Sequence, residues 1–184
     1  MESIIKDKNL APAGRDKIEW VKNFMPVMSA IDKEYSKTKP FAGKRIVITL
    51  HLEAKTAYMA EVFHRAGAEV AVTGSNPLST QDDVAAALAE SGVKVFATHA
   101  CTQEEYDSYI NAALDTKPHF VMDDGGDLVH TLHTSRKELL PGRPGGRCRA
   151  SLLPGEGKLP SRPQATAFPW VAKRRRGSDL PGAG

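Results

Sequence analysis

Four short apolar segments, each followed by a helical pattern, constrain the fold of this chain more than any other feature. The first, Arg45-Ile46-Val47-Ile48-Thr49-Leu50, is β-branched and continuous, as a strand buried on both faces should be. The others cover residues 69–73, 94–97 and 119–122. Strands that alternate with helices of about 10 to 15 residues are typical of βαβ units, whose right-handed crossovers place helices on both faces of a parallel sheet. The sequence therefore predicts an α/β, Rossmann-like fold.

A helical segment is predicted to precede the sheet. Within residues 15–37, apolar side chains recur at spacings of three and four, which places them on one face of a helix. They are Ile18, Val21, Phe24, Met25, Met28 and Ile31. Pro26 lies inside this pattern and lacks a backbone N–H, so we expect a kink or a break there.

The helices between the strands have recognisable start signals. Ser79 and Thr80 stand three positions before Asp82 and Asp83, which is close to a capping box, and the acidic first turn suits the helix dipole. This pattern predicts a helix over residues 81–90. Further helices are predicted over residues 54–65, 103–114 and 127–140.

The composition changes sharply at Gly142. Residues 143–184 hold nine of the 25 Lys/Arg and two of the 22 Asp/Glu, so they carry +7, whereas residues 1–142 carry −4. The same 42 residues contain six of the 12 prolines and seven of the 15 glycines. We therefore predict one folded domain over residues 1–142 and a disordered basic tail over residues 143–184.

The remaining composition is that of a soluble protein. Hydrophobic residues make up 41% and charged residues 26% of the chain, and no apolar run approaches the roughly 18 residues of a membrane helix. Cys101 and Cys148 are too few for a disulfide framework and fit a reducing compartment. Because the N-terminus also lacks the apolar region of a secretory signal, we predict a cytoplasmic protein without membrane contact.

Polar residues follow three of the predicted strands. His51 comes after the first strand, Asn76 after the second and Asp124 after the fourth. In a doubly wound sheet these loops share one edge, so the three side chains could converge on one cleft. A histidine near a carboxylate can act as a general acid or base, and an amide suits a hydroxyl-rich ligand.

Each of these residues also has a purely structural explanation. Asp123-Asp124-Gly125-Gly126 and Asn76-Pro77 are typical turn sequences, and a histidine after a strand is commonly a surface or capping residue. The expected convergence of three loops favours the functional reading. Of the two neighbouring carboxylates, we predict Asp124 as the functional one and Asp123 as the more structural one.

Other motifs point to no further site. His130 and His133 could share a helix face, but no third ligand is evident, so we predict no metal site. The chain lacks a GxGxxG motif, and Gly155-Glu156-Gly157-Lys158 lacks the leading glycine and the following Ser/Thr of a P-loop. Lys173-Arg174-Arg175-Arg176 could attract nucleic acid, but the surrounding Pro and Gly favour a solvated tail instead.

Several motifs, taken in order along the chain, resemble one known family. They are Gly14-Arg15, Met25-Pro26, Leu50-His51-x-x-x-x-Thr56-Ala57, Ser75-Asn76-Pro77-Leu78-Ser79-Thr80-Gln81-Asp82, Asp123-Asp124-Gly125-Gly126-Asp127-Leu128, His133-Thr134 and Leu139-Leu140-Pro141-Gly142. Together they resemble S-adenosyl-L-homocysteine hydrolase, and the resemblance extends from the first predicted helix to Gly142.

This resemblance implies NAD-dependent, reversible hydrolysis of S-adenosyl-L-homocysteine to adenosine and L-homocysteine, in a homo-oligomeric enzyme. In the family, NAD⁺ oxidises the ribose 3′-hydroxyl, homocysteine is eliminated, water adds, and the ketone is reduced again. His51 would match the family's active-site histidine, and Asp124 would match its catalytic aspartate. The substrate-binding positions that the resemblance implies are Glu53, Lys55, Thr56, Asn76 and Gln81.

The segment after His51 departs from many family members. They carry an acceptor, Glu or Gln, at the position of Lys55, which often faces the adenine edge, whereas lysine is a donor. This variant resembles an archaeal and thermophilic branch of the family. S-inosyl-L-homocysteine is therefore an alternative substrate.

A second departure begins after Gly142. There the family continues into a Glu-Glu-Thr-Thr-Thr-Gly motif and a complete NAD-binding domain, and neither is found in residues 143–184. We hypothesise a truncated or frame-shifted chain that carries only part of the substrate-binding domain and is inactive alone. The alternative is a stand-alone module that binds nucleosides or associates with full-length subunits.

Overall fold

The computed structural model describes residues 2–140 and 149–152 of the chain. Their strands and helices alternate as the sequence predicts. The elements are α1 (Ala11–Lys22), α2 (Pro26–Thr38), β1 (Arg45–Thr49), α3 (Ala54–Arg65), β2 (Glu69–Thr73), α4 (Asp82–Glu90), β3 (Lys94–Phe96), α5 (Gln103–Leu114), β4 (Phe120–Asp123), α6 (Asp127–Thr134) and β5 (Arg149–Leu152). Short 3₁₀ turns cover Lys8–Leu10 and Lys137–Leu139.

The strands form one parallel sheet in the order β3-β2-β1-β4-β5. Thr49, at the end of β1, is in register with Thr73 at the end of β2 and with Asp123 at the end of β4. The carboxyl ends of these three strands are therefore level and adjacent. The predicted α/β fold with a parallel sheet is confirmed.

Helices cover both faces of this sheet. Because successive side chains of a strand point to opposite sides, each strand contributes apolar residues to the packing on both faces. Ile48 and Val72 belong to one apolar core, which they share with α1, α3 and α4. Val47 and Val121 belong to a second core on the opposite face, with α5 and α6. The described part of the chain contains no helix that is both long enough and apolar enough to cross a membrane.

The N-terminal helical segment divides at the predicted proline. α1 ends at Lys22, and α2 begins at Pro26, whose missing N–H needs no partner in a first turn. α1 packs closely on α4 at Gly14, and Arg15 donates to the carboxylate of Glu61 on α3. The helical segment is thus joined to the sheet domain by backbone contact and by ion pairing.

The expected capping box of α4 and the predicted end of α6 are wrong. α4 starts at Asp82 without a side-chain cap, since the Ser79 hydroxyl instead accepts from the backbone N–H groups of Ser75 and Asn76. α6 ends at Thr134, six residues before the predicted end. The Thr134 hydroxyl donates to the His130 carbonyl, a local bond that competes with the helix ladder.

Two strand contacts at the sheet margins were not predicted. Ile4 forms a parallel bridge with Phe96 of β3 and so covers that edge. Arg149–Leu152, within the tail predicted to be disordered, pairs with β4 as β5. The boundary at residue 142 and the rest of the predicted tail lie outside the described residues and stay predictions.

Candidate functional site

The loops that follow β1, β2 and β4 contact one another at the carboxyl edge of the sheet. The Leu52 N–H donates to the Ser79 carbonyl at 2.9 Å, which ties the β1 loop to the β2 loop. Gly125, in the β4 loop, lies so close to Ser75 that an added Cβ would be 3.0 Å from the Ser75 carbonyl oxygen. The loops that carry His51, Asn76 and Asp124 therefore meet at one edge.

Asp123 organises the start of α6. Its side chain is fully buried, and its two oxygens accept from the backbone N–H groups of Gly126 and Val129, each at 3.0 Å. Burial raises the pKa of this carboxyl, partly opposed by these two hydrogen bonds, and the nearby charges of Asp127 and Asp124 raise it further. Asp123 thus has both oxygens engaged in holding the β4–α6 turn.

The raised pKa of Asp123 predicts a specific dependence of stability on pH. Because the folded state holds this proton more tightly than the unfolded state, the free energy of unfolding should fall as pH rises from about 4 through the folded pKa. The difference in unfolding free energy between wild type and Asp123→Asn should therefore shrink as pH rises. Urea unfolding of both proteins at several pH values, from about 3 to about 8, measures this difference in unfolding free energy.

Glu138→Gln is the matched control for that measurement. The hydrogen bond from Arg136 lowers the pKa of the Glu138 carboxyl, so its contribution is present above the unfolded pKa and is lost as pH falls. The control difference should have the opposite slope to that of Asp123→Asn. A difference between wild type and Asp123→Asn that grows with pH would contradict the role of burial at Asp123.

Asp124 differs from its neighbour. It is half-buried, its N–H points to the Thr49 carbonyl at 3.4 Å, and its Oδ1 is inaccessible and has no hydrogen-bond partner. Three other buried side-chain oxygens of the described residues share this condition, those of Thr49, Thr73 and Ser75. All four atoms lie at the carboxyl ends of β1, β2 and β4. Leaving a buried polar atom unpaired costs roughly 1 to 3 kcal/mol, and such atoms are concentrated at this edge of the sheet.

His51 stands directly after β1 on a fixed backbone. Its carbonyl accepts from the Glu53 N–H at 3.0 Å, and the next residue, Leu52, is fully buried and forms a parallel bridge with Thr80. The imidazole is exposed and makes no hydrogen bond within the described residues. A supported backbone with an accessible ring is compatible with proton transfer to a bound ligand.

Three predicted substrate-binding residues lie at the N-terminus of α3, which starts from the same edge. Glu53 is the cap residue, in an extended conformation, and its carboxylate does not cap the helix. Lys55 is exposed and has no ion-pair partner among residues 2–140, whereas Thr56 is 9% exposed. The three residues therefore lie in the first turn of α3 or directly before it, a few residues after His51.

The other two predicted binding residues are already engaged in local contacts. The Asn76 side-chain oxygen accepts from the Leu78 N–H at 2.9 Å, which is the turn that its sequence suggests. The Gln81 side-chain oxygen accepts from Lys17 on α1 at 3.2 Å. Both residues belong to the β2 loop, and their ligand contacts stay predictions.

Sequence reasoning missed three residues of this edge, Thr49, Thr73 and Ser75. Nothing in the sequence distinguishes a threonine at the end of a strand from any other β-branched strand residue. The closest available signal was Gly74. A Cβ at Gly74 would lie 2.9 Å from the hydroxyls of both Ser79 and Thr80, so the β2 loop is tightly folded at this point.

The described residues show neither the glycine-rich turn of a dinucleotide site nor a group of metal ligands. The loop after β1 has no glycine, and its Leu52 is fully buried. Within residues 2–140 and 149–152, no three His, Cys, Asp or Glu side chains are grouped to hold a metal ion.

Comparison with known proteins identifies the family. The family model of S-adenosyl-L-homocysteine hydrolase matches residues 2–144, more than three quarters of the chain. The chain belongs to the S-adenosyl-L-homocysteine hydrolase family. It is 53% identical over 136 residues to the adenosylhomocysteinase of Pyrococcus abyssi, a match that covers 74% of this chain and 32% of the relative.

Other relatives of this hydrolase family differ in the nucleoside that their names specify. The S-inosyl-L-homocysteine hydrolase of Methanococcus maripaludis is 50% identical over 138 residues, covering 75% of this chain and 33% of the relative. The adenosylhomocysteinase of Thermotoga maritima is 47% identical over 127 residues, covering 69% and 31%. The chain thus spans about a third of the length of each of these relatives.

Proposed function

We propose that this chain supplies the nucleoside-binding half of an S-adenosyl-L-homocysteine hydrolase site. The observation that carries the proposal is that the loops of His51 and Asp124 meet at the carboxyl edge of the sheet, where the His51 ring is exposed and Asp124 is only partly buried. In a member of this family, the ligand expected at this edge is the nucleoside part of a thioether substrate. Family membership supports the substrate class, and the meeting of these loops supports its position.

His51 and Asp124 are the groups that we assign to proton transfer. Elimination of homocysteine and addition of water at the 5′ position each require a proton donor and a proton acceptor held at fixed places. The exposed His51 ring and the Asp124 carboxylate meet this requirement from neighbouring strands. NAD, which the family uses, would supply the redox chemistry when bound, and the roles given to the described residues concern the nucleoside alone.

Glu53, Lys55 and Thr56 are the residues that we assign to the base. They lie at the start of α3, and the exposed Lys55 ammonium offers donors and no acceptor. Adenine has an amino group at C6, whereas hypoxanthine has an oxo group that accepts hydrogen bonds. The unpaired donor of Lys55 therefore favours S-inosyl-L-homocysteine as the second candidate substrate.

Titration of adenosine into the 184-residue chain tests the proposed function. We expect saturable binding, weakened roughly 10- to 100-fold in Asp124→Asn, because a hydrogen bond to a charged group contributes roughly 1.5 to 3 kcal/mol. The same titration with inosine distinguishes the two candidate bases. Isothermal titration calorimetry measures both constants.

Asp115→Asn is the matched control, since Asp115 lies after α5, half exposed, and is paired with Arg136. Its affinity should equal that of wild type. Absence of saturable binding for both nucleosides would overturn the proposal, as would unchanged affinity in Asp124→Asn. Homo-oligomeric assembly, association with full-length subunits, the absence of a nucleic-acid partner and a cytoplasmic location stay predictions.

A further inference from the structure

Three large apolar side chains are exposed close together in the chain, where α1 ends and α2 begins. Trp20 is 63%, Phe24 66% and Val27 73% exposed, and the ring centroids of Trp20 and Phe24 are 4.6 Å apart. Met25 and Met28 of the same segment pack against the apolar core instead. A single exposed apolar residue is ordinary, whereas a cluster of them marks an interaction surface. Trp20, Phe24 and Val27 form what we call the α1–α2 patch.

The size of the α1–α2 patch limits what can cover it. An aromatic side chain buries about 150 to 250 Å² when it is completely covered, so three partly exposed side chains offer a few hundred Å². A stable interface between two proteins needs roughly 800 Å² from each partner. The patch therefore suits a short peptide segment better than a second copy of the chain.

The chain itself contains a segment of suitable chemistry, Phe168-Pro169-Trp170-Val171. This segment holds all the aromatic residues of positions 143–184. Proline restricts the backbone, which reduces the entropy lost on docking, and proline-containing segments commonly bind to aromatic surfaces. Residues 143–184 carry +7, whereas residues 1–142 carry −4, so long-range attraction between the two parts favours the contact.

The connection between the two parts of the chain is long enough for this contact. Residues 153–167 join the end of β5 to the apolar segment, and 15 residues extend to about 50 Å at most. A compact domain of this size has a radius of gyration of only about 14 Å. A tether of this length also gives an effective concentration on the order of 1 mM, so a contact too weak to form between separate molecules is populated within one.

We propose that residues 168–171 cover the α1–α2 patch within one molecule. Phe168 and Trp170 supply aromatic rings to the Trp20 and Phe24 rings, and the contact removes water from all four. This interaction is independent of the proposed function, because α1 and α2 form the patch, whereas the loops after β1, β2 and β4 form the candidate site.

Tryptophan fluorescence tests the proposal directly, because the two tryptophans of the chain stand on opposite sides of the contact. In the 184-residue chain with Trp170→Phe, Trp20 is the sole tryptophan and the segment keeps an aromatic side chain. The double variant Phe168→Ser/Trp170→Ser also retains only Trp20 but loses both aromatic rings of the segment. We expect acrylamide to quench Trp20 about 1.5- to 2-fold more strongly in the double variant, because the ring is then uncovered.

Leu180→Ser, introduced into the Trp170→Phe chain, is the matched control, since it removes an apolar side chain outside the segment. It should leave the quenching of Trp20 unchanged. Equal quenching in Trp170→Phe and in the double variant overturns the proposal, and so does an effect of Leu180→Ser as large as that of the double variant. Quenching that is independent of protein concentration supports a contact within one molecule. Quenching of the Trp170→Phe protein that increases on dilution indicates a contact between molecules and overturns the proposal.

Discussion

Gly14→Ala is expected to lower the free energy of unfolding by about 3 kcal/mol and the melting temperature by about 10 °C. A Cβ at this position would overlap with the carbonyl group of Asp83 and lie 2.8 Å from the backbone nitrogen of Val84. Both obstacles are backbone atoms of the α4 start, which cannot rotate aside as a side chain can. α1 would have to move away from α4 as a unit.

That movement also separates polar contacts of α1. Arg15 donates to the Ala87 carbonyl on α4 at 2.7 Å and to the Glu61 carboxylate at 2.6 Å, and both bonds depend on the close approach. An alanine in a solvated helix would instead stabilise it by about 1 kcal/mol relative to glycine. A loss of stability therefore indicates the clash between α1 and α4, whereas a gain indicates only the higher helix propensity of alanine.

Urea unfolding followed by circular dichroism measures the effect of Gly14→Ala. Asp16→Ala is the matched control, because it places alanine at an exposed position of α1 and should change stability by less than about 0.5 kcal/mol. Equal or greater stability of Gly14→Ala would show that α1 and α4 do not pack at this distance.

The positions of the strands could be predicted because their signal is local. Residues 46–48 and 70–72 are continuous apolar runs, each between a charged residue and a threonine, and a run of that kind has few alternatives to a buried parallel strand. The break before Pro26 is local as well, since it follows from the missing N–H. The common edge of the loops then follows from the topology of parallel sheets.

Contacts between residues distant in sequence could not be predicted in this way. The Ser79 hydroxyl fits a capping box by spacing, but the folded loop engages it with Ser75 and Asn76. Gly14 has no sequence signal for its approach to Asp83, because that contact depends on how α1 docks. β5 was missed since an open strand edge pairs through backbone groups, to which the Arg, Pro and Gly content of a segment is a poor guide.

The convergence of the loops at the candidate site was predicted, whereas the packing between them was not. His51 and Asp124 were singled out because they follow strands whose ends share an edge, and their roles stay predictions. The burial of the Ser75 hydroxyl without a partner could not be predicted, because it follows from the packing of the β2 loop against Gly125. Serine is common in exposed turns, so its sequence position gives no sign of this burial.

Glu61→Ala is expected to lower the free energy of unfolding by about 3 kcal/mol, the lower end of the range for breaking a buried ion pair. The Glu61 side chain is 5% exposed and accepts from Arg15 of α1 and from Arg65 of its own helix, so its loss leaves two guanidinium groups facing each other. Arg65 keeps its two bonds to Asp32, and both arginines are about one third exposed, which limits the effect. Glu19→Ala, which breaks the exposed pair with Lys22, should change stability by less than about 0.5 kcal/mol. Equal effects of the two variants in urea unfolding would refute the idea that Glu61 joins the N-terminal helices to the sheet domain.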